Sequence, residues 1–215
     1  DSQHRNYRMM KMIPLLLVGF ATVSPVRSQE VVHRAKILSL AGELQQTPEF
    51  QFSGPKKKAT KPRSWLEIEA EVEVETKAPS GFIPELTAQW FAVVLDQAGG
   101  KPVRLSGSVT FKNVRTAGGS VFLSAYIEPD TMERLTGKAK PGSRDLEGFA
   151  LVLSGPGILD QGKFAEGLVK ATAEEKSKWW AEWKHETLED AIVAKSKTPF
   201  APLWTDRYPA EKPQK

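Results

Sequence analysis

Ser64-Trp65-Leu66-Glu67-Ile68-Glu69-Ala70-Glu71-Val72-Glu73-Val74-Glu75 alternates apolar and acidic residues without a break. In a strand, Leu66, Ile68, Ala70, Val72 and Val74 share one face and five glutamates share the other. One buried and one wet face fit an antiparallel sheet, because parallel sheets are covered on both sides. Successive glutamates lie roughly 7 Å apart at a rise of about 3.4 Å per residue, so the wet face calls for cross-strand Lys or Arg. A straight strand cannot wrap a calcium ion, and the ridge is therefore not read as a metal site.

Further strands follow at the spacing of a sandwich. Glu85 to Asp96 ends in the turn signal Asp96-Gln97-Ala98-Gly99-Gly100. Lys101 to Arg115 alternates again, with Val103, Leu105, Gly107, Val109 and Phe111 inward. After Ala117-Gly118-Gly119, Ser120 to Glu128 carries Val121, Leu123, Ala125 and Ile127 on one face. A short helical turn over Thr131 to Leu135 takes Asp130 as its cap. Phe149 to Leu153 reads as a buried strand, and Lys163 to Leu168 as a weak edge. So many strands with Gly/Pro turns predict a mainly β antiparallel sandwich, with an OB-type barrel as the alternative.

Both flanks differ in character. Arg8 to Lys11, the apolar run Ile13 to Val23 and Ser24-Pro25-Val26-Arg27-Ser28 have the order of a secretory signal peptide, so residues 1–28 are assigned to a leader with an upstream extension. The apolar run is too short to span ~30 Å of hydrocarbon. Residues 29–63 are read as an arm and a basic linker, residues 64–170 as the sandwich core, and residues 171–215 as a helix with a wrapping tail. Thr172 and Glu175 suit a capping box for a helix running to Trp183, and Leu188 to Lys195 reads as a second helical piece. Beyond it, Pro199, Pro202 and Pro209 keep the tail extended.

Composition limits the chemistry. The 215 residues include no cysteine, which excludes disulfides, thiolate metal sites and cysteine nucleophiles. The formal charge is +4. Arg5, Arg8, Lys11, Arg27 and Asp1 lie in the leader, which leaves the remainder near neutral and argues against nucleic acid. The linker's basic run, Lys56-Lys57-Lys58 with Lys61 and Arg63, lacks interleaved aromatics and reads as a solvated loop. His4, His33 and His185 are scattered singly, and Glu189 stands where a zinc-protease helix would need its second histidine. No phosphate loop or nucleophile elbow occurs. No enzyme activity, catalytic residue, cofactor or metal is therefore expected.

Two surfaces are candidates for binding. Val31, Val32, Ile37, Leu38, Leu40 and Leu44 make the arm too apolar to float free, and strand addition to a neighbour's sheet edge would bury it. Removal of residues 29–46 is on this reading expected to lower the oligomeric state. Trp179, Trp183 and Trp204 could dock the tail on the sandwich or form a stacking surface for a glycan.

Thr47-Pro48-Glu49-Phe50, Trp65-Leu66-Glu67-Ile68-Glu69, Thr198-Pro199-Phe200-Ala201 and Asp206-Arg207-Tyr208 carry a family likeness. The chain resembles small exported proteins encoded with type IV pilus-like clusters in Akkermansia and other Verrucomicrobia. The resemblance implies an immunoglobulin-like sandwich, a place in the envelope (periplasm, outer membrane or cell surface), self-association and no known activity. Implied partners are the protein itself and other pilus-like envelope proteins, with peripheral membrane or glycan contact as further alternatives. Ser24 and Pro25 depart from true pilins at the position where a long apolar helix would continue, so an accessory or assembly role fits better than a filament subunit.

Overall fold

The computed structural model describes residues 31–49, 61–160, 162–167 and 179–213. The expected leader, most of the basic linker and most of the helix before Trp183 lie outside the described residues.

Among the described residues the chain forms β1 (His33–Gln46), β2 (Ser64–Thr76), β3 (Phe82–Asp96), β4 (Lys101–Arg115), β5 (Ser120–Ile127), α1 (Pro129–Thr136), β6 (Leu146–Ser154), β7 (Ile158–Asp160), β8 (Lys163–Gly167), β9 (Thr187–Leu188) and β10 (Ile192–Ala194). One sheet has the order β10-β5-β2-β1-β7, and the other β8-β6-β3-β4-β9. Two separate sheets, rather than one closed barrel, make the molecule a mainly β sandwich.

The alternation in β2 decides its packing. Leu66, Ile68, Ala70, Val72 and Val74 are all buried against Leu86, Ala88, Trp90, Ala92 and Val94 of β3 and the inward side chains of β4. The expected cross-strand cations come from β1, whose Arg34 stands opposite Glu75 and Lys36 opposite Glu73. Strand β3 differs from β2 because its outer face is apolar as well. Its outer residues Phe91 and Val93 form a second cluster with Ala150 of β6 and Trp179.

Four expectations need correction. The arm is not detached: residues 33–46 pair along their length with β2, and Ala35, Ile37 and Leu40 belong to the core. Deleting residues 29–46 would therefore remove a core strand, and the resulting loss of fold would obscure any effect on association. In α1 the N-cap is Glu128, with Pro129 opening the helix, and Asp130 instead bonds Arg63 at 2.5 Å. Leu188 to Lys195 is not helical. Asp190 takes a left-handed φ of 55°, which breaks the segment, and Ile192 and Ala194 alternate inward as β10. Trp179 to Trp183 is turn and coil rather than helix, so the three tryptophans are placed by ring packing and not by helical spacing.

Strand edges are covered unevenly. Strand β10 closes β5 at Ala125 to Ile127. Strand β9 runs beside Arg104 and Leu105 of β4, and the tail covers the next stretch of that edge through Lys112 N–H to Ala210 O (2.8 Å) and Lys212 N–H to Thr110 O (2.7 Å). Strand β1 is covered by β7 at His33 and Arg34, and among the described residues Lys36 to Gln46 pairs with β2 alone.

Candidate binding site

The C-terminal tail folds onto the outer, glutamate-bearing face of the first sheet. Tyr126, between the inward Ala125 and Ile127, points outward and is covered by Phe200. The two rings stack at 5.2 Å, Trp204 stacks on Phe200 at 6.1 Å, and Trp65 meets Phe200 edge-on at 6.2 Å. Phe200 is fully buried in this stack, whereas Trp204 keeps 45% of its surface exposed. Trp204 also has a left-handed φ of 52°, uncommon for a bulky residue.

Polar groups beneath the rings are joined in one network. Both Tyr126 (2.5 Å) and Tyr208 (3.1 Å) direct their hydroxyls at Oε1 of the buried Glu67. The Tyr208 hydroxyl also lies 2.6 Å from Glu69 Oε2. Arg207 grips Glu69 with two bonds, Nε to Oε2 at 3.0 Å and Nη2 to Oε1 at 2.7 Å, while its guanidinium lies 3.8 Å from the Phe122 ring centre. Lys195 is buried beside the Tyr208 ring and donates to the Ala201 carbonyl at 3.1 Å.

Burial raises the Tyr126 and Tyr208 phenols above their ordinary values, and the neighbouring carboxylates add to the rise. Burial lowers Lys195, against the pull of Glu211 and Glu67. For Glu69, burial alone would raise the carboxyl, but the hydrogen bonds from Arg207 and Tyr208 together outweigh it and hold it below the usual range. Folded Glu69 thus binds fewer protons than unfolded Glu69. Its stabilising contribution is present above the unfolded carboxylate range and is lost as pH falls through the lower folded value. Urea midpoints measured from about pH 6 down to about pH 3 are expected to fall less steeply in Arg207→Met than in the parent. Parallel pH profiles would refute this linkage.

Beside the network is a concave pocket of about 330 Å³, lined by Ala41, Glu43 and Gln45 of β1, Glu67 and Glu69 of β2, and Trp204, Arg207 and Tyr208 of the tail. The phrases Trp65 to Glu69, Thr198 to Ala201 and Asp206 to Tyr208, far apart in the chain, supply most of this assembly. Their periodicity does not reveal the contact. The available signal was that aromatics in a proline-rich tail need a surface, and that five glutamates on one face need partners.

The residues singled out from sequence are divided among several places. Ile37 and Leu40 point into the core, and Val32 is half-buried. Val31, Leu38 and Leu44 remain exposed, with Leu38 at the bulge between Ile37 and Ser39. Trp179 is buried on the outer face of the second sheet, with Trp180 and Trp183 packed around it. Trp204 lies on the outer face of the first sheet, so the three tryptophans do not form one surface. His33 is buried, with Nδ1 2.7 Å from Thr76 Oγ1, in an ordinary structural role.

No curated protein matches this sequence. A crystal structure of a protein from Akkermansia muciniphila is similar in fold, with a TM-score of 0.74 and 22% identity over 86% of this chain and 96% of that one. A protein-family model matches residues 26–215, nearly the whole chain and all of the elements described above, and the chain therefore belongs to that family.

Proposed function

We propose that the protein is a non-enzymatic, exported component or accessory of a pilus-like assembly in the cell envelope, acting by association with itself and with other envelope proteins. The observation that supports this reading most is the edge of β1. Among the described residues, its backbone from Lys36 to Gln46 is paired on one side only, an arrangement that soluble folds usually shield. The large apolar residues exposed along or beside this strand are Val31, Leu38, Leu44 and Leu159, the last of these on β7 and 70% exposed. An open backbone edge flanked by leucines is the combination that strand addition uses, with main-chain bonds for affinity and side chains for choice of partner. Export rests on the order of charge and apolar residues before Ser28.

Light scattering on residues 29–215 across a concentration series tests this reading. Self-association is expected, and Leu38→Lys with Leu44→Lys is expected to weaken it at least about tenfold, since covering a leucine contributes roughly 1.5–3 kcal/mol. Both side chains are already about half exposed, so the fold should survive. A monomer at every concentration, or unchanged association in the double variant, would overturn the assignment of the β1 edge.

A further inference from the structure

We infer that the pocket beside Trp204 receives the side chain of an arginine from a partner protein, a contact on the outer face of the first sheet whose wall includes Ala41, Glu43 and Gln45 of β1. Three features of its wall point to an organic cation. Glu43 and Glu67 stand directly opposite one another in the β1–β2 register, a like-charge pairing that destabilises a sheet unless something neutralises it. Glu67 is only 5% exposed, and the phenol contacts to it fall on Oε1, the Tyr208 hydroxyl lying nearer to Glu69 Oε2 (2.6 Å) than to Glu67 (3.1 Å). The pocket's own cation is already committed, since Arg207 is held twice by Glu69 and lies over Phe122.

The half-exposed Trp204 indole, which lines the same pocket, offers a π face and is held by its stack on Phe200. Carboxylates and an indole lining one pocket suit a planar guanidinium, which can donate two hydrogen bonds to a carboxylate and stack on a ring at once. No group of three or more His, Cys, Asp or Glu among the described residues could hold a metal ion, which leaves an organic cation as the better fit. A volume near 330 Å³ is at the small end for ligand pockets and takes one long side chain rather than a chain of sugars.

The test is calorimetric titration of the full chain with the peptide acetyl-Gly-Arg-Gly-amide and with its citrulline counterpart, which keeps the shape and loses the charge. Saturable binding of the arginine peptide alone is expected. Glu43→Gln and, separately, Trp204→Leu should each weaken it at least about fivefold. Both residues are exposed, so these variants spare the Glu67 network that holds the tail. Equal binding of the two peptides, binding unaffected by either variant, or no binding would overturn the proposal. Saturable binding of N-acetylglucosamine in place of the peptide would overturn it in favour of a glycan. Trp204→Leu leaves β1 unaltered, so the outcome for that variant separates this proposal from self-association through β1.

Discussion

Replacement of Gly107 by alanine is expected to destabilise the protein by about 3 kcal/mol or more, at the upper end of the usual cost of overpacking. A Cβ built at Gly107 would lie 1.9 Å from the carbonyl oxygen of Ile192 and 2.9 Å from its Cβ. The obstacle is backbone, so no rotamer change can relieve it. Relief requires β10 to move away from β4, yet β10 is held by its register with β5, Ile192 opposite Ile127 and Ala194 opposite Ala125. Because β10 hydrogen-bonds in one sheet and touches the other, the clash would loosen a place where both sheets meet. A fall of roughly 6–12 °C in Tm is expected for a domain of this size. Gly118→Ala is the control, since its nearest neighbour would be Ser120 O at an ordinary 3.7 Å. Similar melting curves for the two variants would show that β10 does not seal the sandwich as described.

Phe200→Ala is expected to cost about 3–5 kcal/mol, the usual range for emptying a fully buried phenylalanine site. The loss should extend beyond one side chain, because Phe200 is the ring that Tyr126 and Trp204 stack on and Trp65 meets edge-on. Without it, the tail would be held on this face mainly by Arg207, Tyr208 and Lys195, whose bonds are partly open to water. Near-UV circular dichroism should therefore lose aromatic signal at temperatures where far-UV signal persists, followed by a lowered urea midpoint. Simultaneous loss of both signals at an unchanged midpoint would mean that the aromatic stack contributes little.

The strands and the tail differ in how far they could be read. Strands β2, β4 and β5 were legible to within a residue or two because their core-facing apolar residues fall at every second position: a side-chain period of two is a local property and survives in the sequence. Strand β1 was not. Its alternation slips at the bulge between Ile37 and Ser39, so the inward set moves from odd positions such as Ala35 and Ile37 to Leu40, and the segment looks aperiodic. Strand β10 was missed for a different reason. Three residues are too few to show a period, and only the neighbouring edge of β5 makes them a strand.

Residue order by itself therefore determined the class of fold, the inward faces of the long strands and the acidic character of one outer face. Each of these follows from neighbours along the chain. Which glutamate became buried and which tryptophan stayed open were decided by the tail, nearly 140 residues from the strand it covers. Glu67 and Glu69 are equivalent in the alternating pattern. They differ in the structure because two phenols reach the first and a guanidinium reaches the second, and such partners are chosen by contact in three dimensions.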